Sequence, residues 1–191
     1  MPGQRLAGFY CILTQEDLFI MKFYNVVKDR YSCRSFAPRP VEAEKLERIL
    51  EAGRLAPTAK NVQPVKIWVI QSPAALKKIK SATPFKWLTC PVILAVGGTQ
   101  EGAFVRPSDN RNFEDVDASI VATHLMLAIQ SEGLGSTWIG FFDEPKVKEL
   151  FPDMKYYDLI ALFPIGYPAD DAKPSERHEL RKSKSELVKY L

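Results

Sequence analysis

The sequence predicts an α+β fold in which about four strands are sandwiched between helices. Two observations lead to this class. Apolar residues at helical spacing alternate along the chain with short runs that are β-branched, aromatic or wholly apolar, as buried strands are. The length of 191 residues suits a single domain with a real core. No internal repeat, linker or low-complexity tract divides the chain.

The predicted helices each have an apolar face and recognisable ends. The longest, 115–135, is apolar nearly all round and finishes at the stop signals Gly133 and Gly135, so we expect it to be buried on most sides. A second helix can begin at Pro40 and is ended by Pro57. Shorter helical patterns cover 23–31, 73–80 and 144–151, and the basic tail 177–191 is weakly helical.

The predicted strands are short, and the best of them is a continuous apolar run, PVILAVGG, which is typical of a buried strand. In chain order the four cover 65–71, 91–98, 136–142 and 157–168. The polar stretch 101–115 between the second and third strands is predicted to be a long irregular loop.

Composition excludes several classes of function. The 26 basic residues nearly balance the 23 acidic residues, which argues against binding to nucleic acid or to a membrane surface. No apolar run reaches the roughly 20 residues of a membrane-spanning helix. Three widely spaced cysteines predict no disulfide framework and a cytoplasmic location. Two distant histidines and no Cys/His cluster predict no metal site.

The first 22 residues are predicted to be an N-terminal extension, poorly ordered, that precedes a single domain over 23–191. Met21 could serve as the natural start of the chain. The apolar stretch LAGFYCIL is short and is not followed by a small-residue cleavage site, which argues against a signal peptide.

Cys33 and Arg39 have the C-x5-R spacing of cysteine phosphatases. That chemistry needs a strand before the thiol and a loop of backbone N–H donors after it. Here the preceding segment is predicted to be helical, and Pro38 removes one donor from the loop. A small buried cysteine is therefore the favoured interpretation, with a phosphatase as the weaker alternative.

Arg30, Ser32 and Arg34 alternate directly after the first predicted helix. If the chain leaves that helix in an extended conformation, alternate side chains point the same way. The three could then converge on one anion through charge-assisted hydrogen bonds. A solvated basic loop is the alternative that this segment alone leaves open.

The segment APTAKNVQP, 56–64, places neutral polar side chains between two prolines that restrict its backbone. Thr58, Asn61 and Gln63 offer donors and acceptors without an acid–base partner. This combination suits recognition of a ligand more than proton transfer. A plain connector from helix to strand is the alternative.

Taken in order, RYSCRSF, LAPTAKNVQP, DASIVATHLMLAIQSEGLGSTWIGFFD, PIGYP and the basic tail resemble the nitroreductase family of FMN-dependent oxidoreductases. The similarity runs from about Phe23 to Leu191. It implies the sandwich of that family, with a central, mostly antiparallel sheet flanked by helices. It also implies an obligate homodimer with FMN at the interface.

The resemblance also implies which residues bind FMN. Arg30 and Ser32 match the positions at the phosphate, with Tyr31 between them. Arg34 matches the basic residue at the N1/O2 edge of the flavin, where negative charge develops on reduction. The loop residues that would reach the partner's flavin are Pro57, Thr58, Ala59, Asn61 and Gln63. The backbone N–H groups of Ile139 and Gly140 would face flavin N5 and O4. In the tail, Arg181 and Lys182 would close on the phosphate.

By the same resemblance, hydride from NADH or NADPH would pass through flavin N5 to a nitroaromatic, quinone or related acceptor by ping-pong turnover. No catalytic side chain is then required. The chain departs from larger members, where a helical excursion stands in place of 101–115, and this leaves the substrate open. Dehalogenation, flavin fragmentation and non-catalytic flavin sensing are alternatives on the same fold.

Overall fold

The computed structural model describes residues 15–191, with side chains from residue 22 onward. In chain order the helices are α1 Gln15–Asp29, α2 Ala43–Arg54, α3 Pro73–Ser81, α4 Glu114–Ser131, α5 Glu144–Leu150 and α6 Lys184–Leu187. The strands are β1 Val65–Ile70, β2 Val92–Gly98, β3 Val105–Arg106, β4 Arg111–Asn112, β5 Gly135–Ser136 and β6 Asp158–Gly166. The α+β class is confirmed. The extension expected over 1–22 lies mostly outside the described residues and stays a prediction.

The central sheet has the strand order β1-β2-β6-β5, and each neighbouring pair is antiparallel. At one end of the sheet Val65 pairs with Gly98, which in turn pairs with Asp158. At the other end Gly135 pairs with Gly166. The chain before β1 and the chain around β5 therefore meet the sheet at diagonally opposite corners.

Helices cover both faces of this sheet. Successive residues of β2 point to opposite sides, as the two-residue period of a strand requires. Leu94 joins a buried cluster with Ile49 of α2 and Leu125 of α4, whereas Ile93 joins a second cluster with Ile79 of α3. Each fully buried side chain of this size stabilises the fold by about 1.5–3 kcal/mol.

Several sequence-based boundaries are wrong. Helix α1 begins at Gln15, eight residues before its predicted start at residue 23. Helix α2 begins at Ala43 and not at Pro40, because Glu42 is extended (ψ 139°) and its carboxylate accepts the Tyr167 hydroxyl at 2.6 Å. Helix α1 ends at Asp29, two residues before the predicted end. The strand expected over 136–142 is reduced to β5 and a single antiparallel bridge between Ile139 and Leu162.

The stretch 101–115 is not an irregular loop. It contains the antiparallel hairpin β3–β4, in which Arg106 pairs with Arg111. The turn is closed by the Asn110 N–H, which donates to the Arg106 carbonyl at 2.9 Å, and by an ion pair between Arg106 and Asp109. Side-chain pairing inside a polar stretch, not apolar periodicity, fixes this structure.

In the part of the chain that the structure describes, no helix combines the length and the hydropathy needed to span a membrane.

Candidate active site

The segment after α1 is extended, as the alternation of Arg30, Ser32 and Arg34 requires. Ser32 bridges Ser136 in a parallel sense, and the Cys33 N–H donates to the Ser136 carbonyl at 2.9 Å. Cys33 is fully buried, whereas Arg34 is exposed. Because neighbouring side chains on an extended segment point to opposite sides, the two arginines and the serine lie on the side away from Cys33.

Arg30 and Arg181 are brought close together by the return of the C-terminal tail to the end of α1. Burial, and then the positive charge of Arg181, lower the pKa of Arg30. Arg181 lines a cleft of about 580 Å³ together with Tyr31 and His178, and the carboxylates of Asp29 and Glu179 line it as well. Two cations that disfavour each other become favourable as soon as an anion lies between them, so the pair Arg30 and Arg181 is a candidate for binding a phosphate or similar group.

Cys33 does not form a phosphatase site with Arg39. Burial raises the pKa of the Cys33 thiol, and its Sγ donates to the Ser35 carbonyl at 3.2 Å. The guanidinium of Arg39 instead binds Glu42 at 2.7 Å and lies 3.9 Å from the Tyr167 ring centroid. A buried, protonated thiol is a poor nucleophile, so the geometry contradicts this alternative and supports the packing role.

The loop 57–63 holds an unusual backbone. Lys60, Asn61 and Gln63 all have positive φ values, 52°, 55° and 58°, although none is glycine. The Gln63 N–H donates to Thr58 Oγ1 at 3.0 Å, and Gln63 Nε2 donates to Asn61 Oδ1 at 3.2 Å. Left-handed conformations of such residues persist only where the surroundings impose them, and they concentrate at ligand sites. Pro57 is exposed at the start of this loop.

Asp117 anchors the loop and was missed by the sequence analysis. Its Oδ1 accepts the Ala59 N–H at 2.8 Å, and its side chain is 1% exposed. The other oxygen, Oδ2, is buried without a hydrogen-bond partner among the described residues. The available signal was Asp117, the second of two acidic residues in DVDASIV, at the start of a helix that is otherwise apolar on most sides.

The backbone of Ile139 is closed to a ligand, whereas the backbone of Gly140 is exposed. The Ile139 N–H donates to the Leu162 carbonyl at 3.0 Å, so it is not free to face a flavin, which corrects the expected role. Gly140 is exposed, and a Cβ placed on it would meet nothing within 4 Å. Its backbone is open to close approach by a ligand. Lys182, in the tail beside Arg181, is exposed as well.

One chain does not bring all of these residues together. The loop 57–63 precedes β1 at one corner of the sheet, and the segment 30–34 lies beyond β5 at the opposite corner. Three inter-strand gaps and the length of β6 put these corners on the order of 30 Å apart. The candidate residues therefore fall into two separate groups, which we call half-sites.

The comparisons with known proteins identify the family of this chain. The model of the nitroreductase family matches residues 27–84 and 82–167. This chain belongs to the nitroreductase family. A crystal structure of a nitroreductase family protein from Clostridium difficile 630 has 35% identity and a TM-score of 0.80, over 87% of this chain and 96% of that one.

Two curated relatives of this nitroreductase-family chain carry different activities in their names. An FMN reductase [NAD(P)H] from Bacillus subtilis is 30% identical over 166 residues, which cover 78% of this chain and 67% of the relative. An iodotyrosine deiodinase from Nematostella vectensis is 24% identical over 184 residues, which cover 80% of this chain and 69% of the relative. The resemblance stated from the sequence is thus confirmed at the level of the family.

Proposed function

We propose that this protein is an FMN-dependent NAD(P)H oxidoreductase that reduces nitroaromatic, quinone or related acceptors. The observation that carries the proposal is the pair Arg30 and Arg181, held close together beside the extended segment that presents Ser32 and Arg34. The relative named FMN reductase [NAD(P)H] supports both the flavin and the nicotinamide donor.

The residues present fit FMN. A phosphate beside Arg30 and Arg181 would relieve the repulsion between the two guanidinium groups, and Ser32 would add a hydroxyl donor. Arg34 is exposed two residues beyond Ser32 on the same extended segment, and it would stabilise negative charge on the flavin ring. The open backbone of Gly140 would let the ring approach closely. Bound FMN would supply hydride transfer between a nicotinamide donor and an acceptor.

The protein would act as a homodimer with the cofactor between the subunits. Support comes from the distance between the half-sites, since one FMN cannot touch both corners of a single sheet. Thr58, Asn61 and Gln63 of one chain would then contact the FMN bound to Arg30 and Ser32 of the other. The exposed apolar side chains on α1, Phe23, Tyr24 and Val27, would contribute surface to such an interface.

The remaining residues position the cofactor and do not exchange protons with the substrate. Arg30, Arg34 and Arg181 offer N–H donors and no acceptor. The loop 57–63 is fixed by the hydrogen bond from the Ala59 N–H to Asp117. A rigid loop over a flavin excludes water, and the side chains of Thr58, Asn61 and Gln63 are neutral donors and acceptors.

The proposal is tested by an absorbance spectrum of the purified protein and by FMN titration. Arg30→Gln and Thr58→Val should each weaken FMN binding by about tenfold, as loss of a charge-assisted or buried hydrogen bond does. Mixed dimers of these two variants carry one intact site, so they should recover part of the NADPH-dependent activity. Protein that stays colourless with added FMN refutes the proposal, and mixed dimers without recovery refute the shared site.

Reductive dehalogenation is the second candidate, and the deiodinase relative favours it. Both activities would use the same flavin site, so they are separated only by the acceptor. Iodide release from an iodinated phenol, measured beside reduction of a nitroaromatic at equal donor concentration, decides between them.

A further inference from the structure

The hairpin β3–β4 and the loop 57–63 form one unit through aromatic and cationic contacts. The ammonium group of Lys60 lies 4.7 Å from the ring centroid of Phe104, just before the hairpin. Phe104 stands edge-on to Phe113, with ring centroids 5.4 Å apart. Arg106 and Arg111 each lie 5.5 Å from the Phe113 ring centroid. We call Lys60, Phe104, Arg106, Arg111 and Phe113 the basic shelf.

The basic shelf carries excess positive charge. Against its three cations the hairpin offers one carboxylate, Asp109, which forms an ion pair with Arg106 and accepts the backbone N–H of Arg111 at 3.3 Å. Asp115 lines the same cleft as Arg111 and offsets part of its charge. Lys60 has no ion-pair partner among the side chains of residues 22–191. It is thus the cation of the shelf that is most available to a ligand.

The contact with Phe104 fixes the position of the ammonium group without neutralising it. An ammonium group over an aromatic face can direct one N–H at the ring, and its other N–H donors remain available to solvent or a ligand. The backbone of Lys60 is fixed as well, by its left-handed conformation and by the neighbouring Ala59–Asp117 hydrogen bond. A fixed, unpaired ammonium loses little further entropy when an anion binds to it.

We infer that Lys60, held over Phe104 between the loop and the hairpin, binds an oxyanion of the molecule that approaches the flavin, a phosphate or a carboxylate. The inference rests on the proposed function, in which loop 57–63 covers the cofactor bound to the other subunit. A phosphate would come from the hydride donor, and NADPH would then be preferred to NADH. A carboxylate would come from the acceptor, and acidic nitroaromatics would then be preferred to neutral ones.

The experiment compares holoenzymes in two arms after FMN content has been measured. The first arm is the ratio of kcat/KM for NADPH to that for NADH with one acceptor. The second is the same ratio for 4-nitrobenzoate to 4-nitrobenzamide with one donor. Lys60→Gln should lower one of these ratios by about fivefold, the size expected for one exposed charge pair. Lys60→Arg should retain the ratio, and Lys77→Gln, on the exposed side of α3, should leave it unchanged.

Two further measurements keep the inference testable if Lys60→Gln folds poorly. Asp109→Asn removes the carboxylate that pairs with Arg106 but keeps an acceptor for the backbone N–H of Arg111, so it should raise the ratio that Lys60→Gln lowers. Added salt should lower the wild-type ratio, because an exposed charge pair is screened. If neither ratio responds to Lys60, Asp109 or salt while FMN binding and turnover are normal, the inference is wrong and the proposed function stands. If no FMN binds, the proposed function itself fails.

Discussion

Removing the carboxylate of Asp117 should destabilise the protein and loosen the loop over the proposed flavin site. Asp117→Ala deletes the acceptor of the Ala59 N–H, a bond of 2.8 Å in a site that is 1% exposed. Loss of a buried hydrogen bond to a charged acceptor costs about 1.5–3 kcal/mol. Part of this cost is offset, because the unpartnered oxygen Oδ2 disappears as well. We therefore expect a net loss of about 2 kcal/mol.

For a chain of this size, a loss of about 2 kcal/mol lowers Tm by about 4–8 °C. Thermal unfolding followed by circular dichroism measures this shift. Asp117→Asn is the matched control, since an amide oxygen still accepts the Ala59 N–H, and it should lose less than half as much. In Asp117→Ala, limited proteolysis should cut first within 57–63. Equal losses in both variants would refute the argument, because the hydrogen bond would then not be what matters.

Two other perturbations test packing and pH dependence. Gly135→Ala places a Cβ 2.8 Å from both Cβ and Sγ of Cys33, so it should destabilise the fold by about 1–3 kcal/mol in thermal unfolding, while Gly140→Ala leaves Tm unchanged. The pKa of Glu42 is lowered from 4.5 to about 2, first by the hydrogen bond from the Tyr167 hydroxyl, then by the backbone N–H of Glu42 itself and by Arg39. The contribution of the ionised Glu42 carboxylate to folding stability is therefore complete above pH 4.5 and is lost as pH falls towards 2. Glu42→Gln should flatten Tm against pH in that window, whereas Glu47→Gln on the exposed side of α2 should not.

The elements that the sequence predicts well are those in which one local pattern decides the structure. The apolar run PVILAVGG becomes the fully buried strand β2. The alternation Arg30, Ser32, Arg34 becomes an extended edge segment, because burial of Cys33 against Gly135 sets which side faces outward. A continuous apolar run carries the information in the first case, and a two-residue alternation carries it in the second.

The elements that the sequence predicts badly depend on contacts between residues that are distant along the chain. Helix α2 starts late because Glu42 is held by Tyr167, which is 125 positions away. The hairpin β3–β4 depends on Arg106 and Asp109, whose pairing no hydrophobic period reveals. Of the left-handed residues in loop 57–63, only Asn61 is of a type that favours this conformation, so those of Lys60 and Gln63 depend on the contacts of Asp117 and Thr58 with the loop.

The same division separates residues that hold the fold from residues that would serve the cofactor. On the edge segment, Cys33 points into the core and the arginines point out, so its thiol can be replaced at a cost in stability while the anion site is kept. At the opposite corner, Asp117 holds the loop from within and Thr58, Asn61 and Gln63 remain towards the surface. Each half-site thus has a buried anchor and an exposed set of donors. Variants of the anchors should affect Tm first, and variants of the donors should affect FMN affinity first.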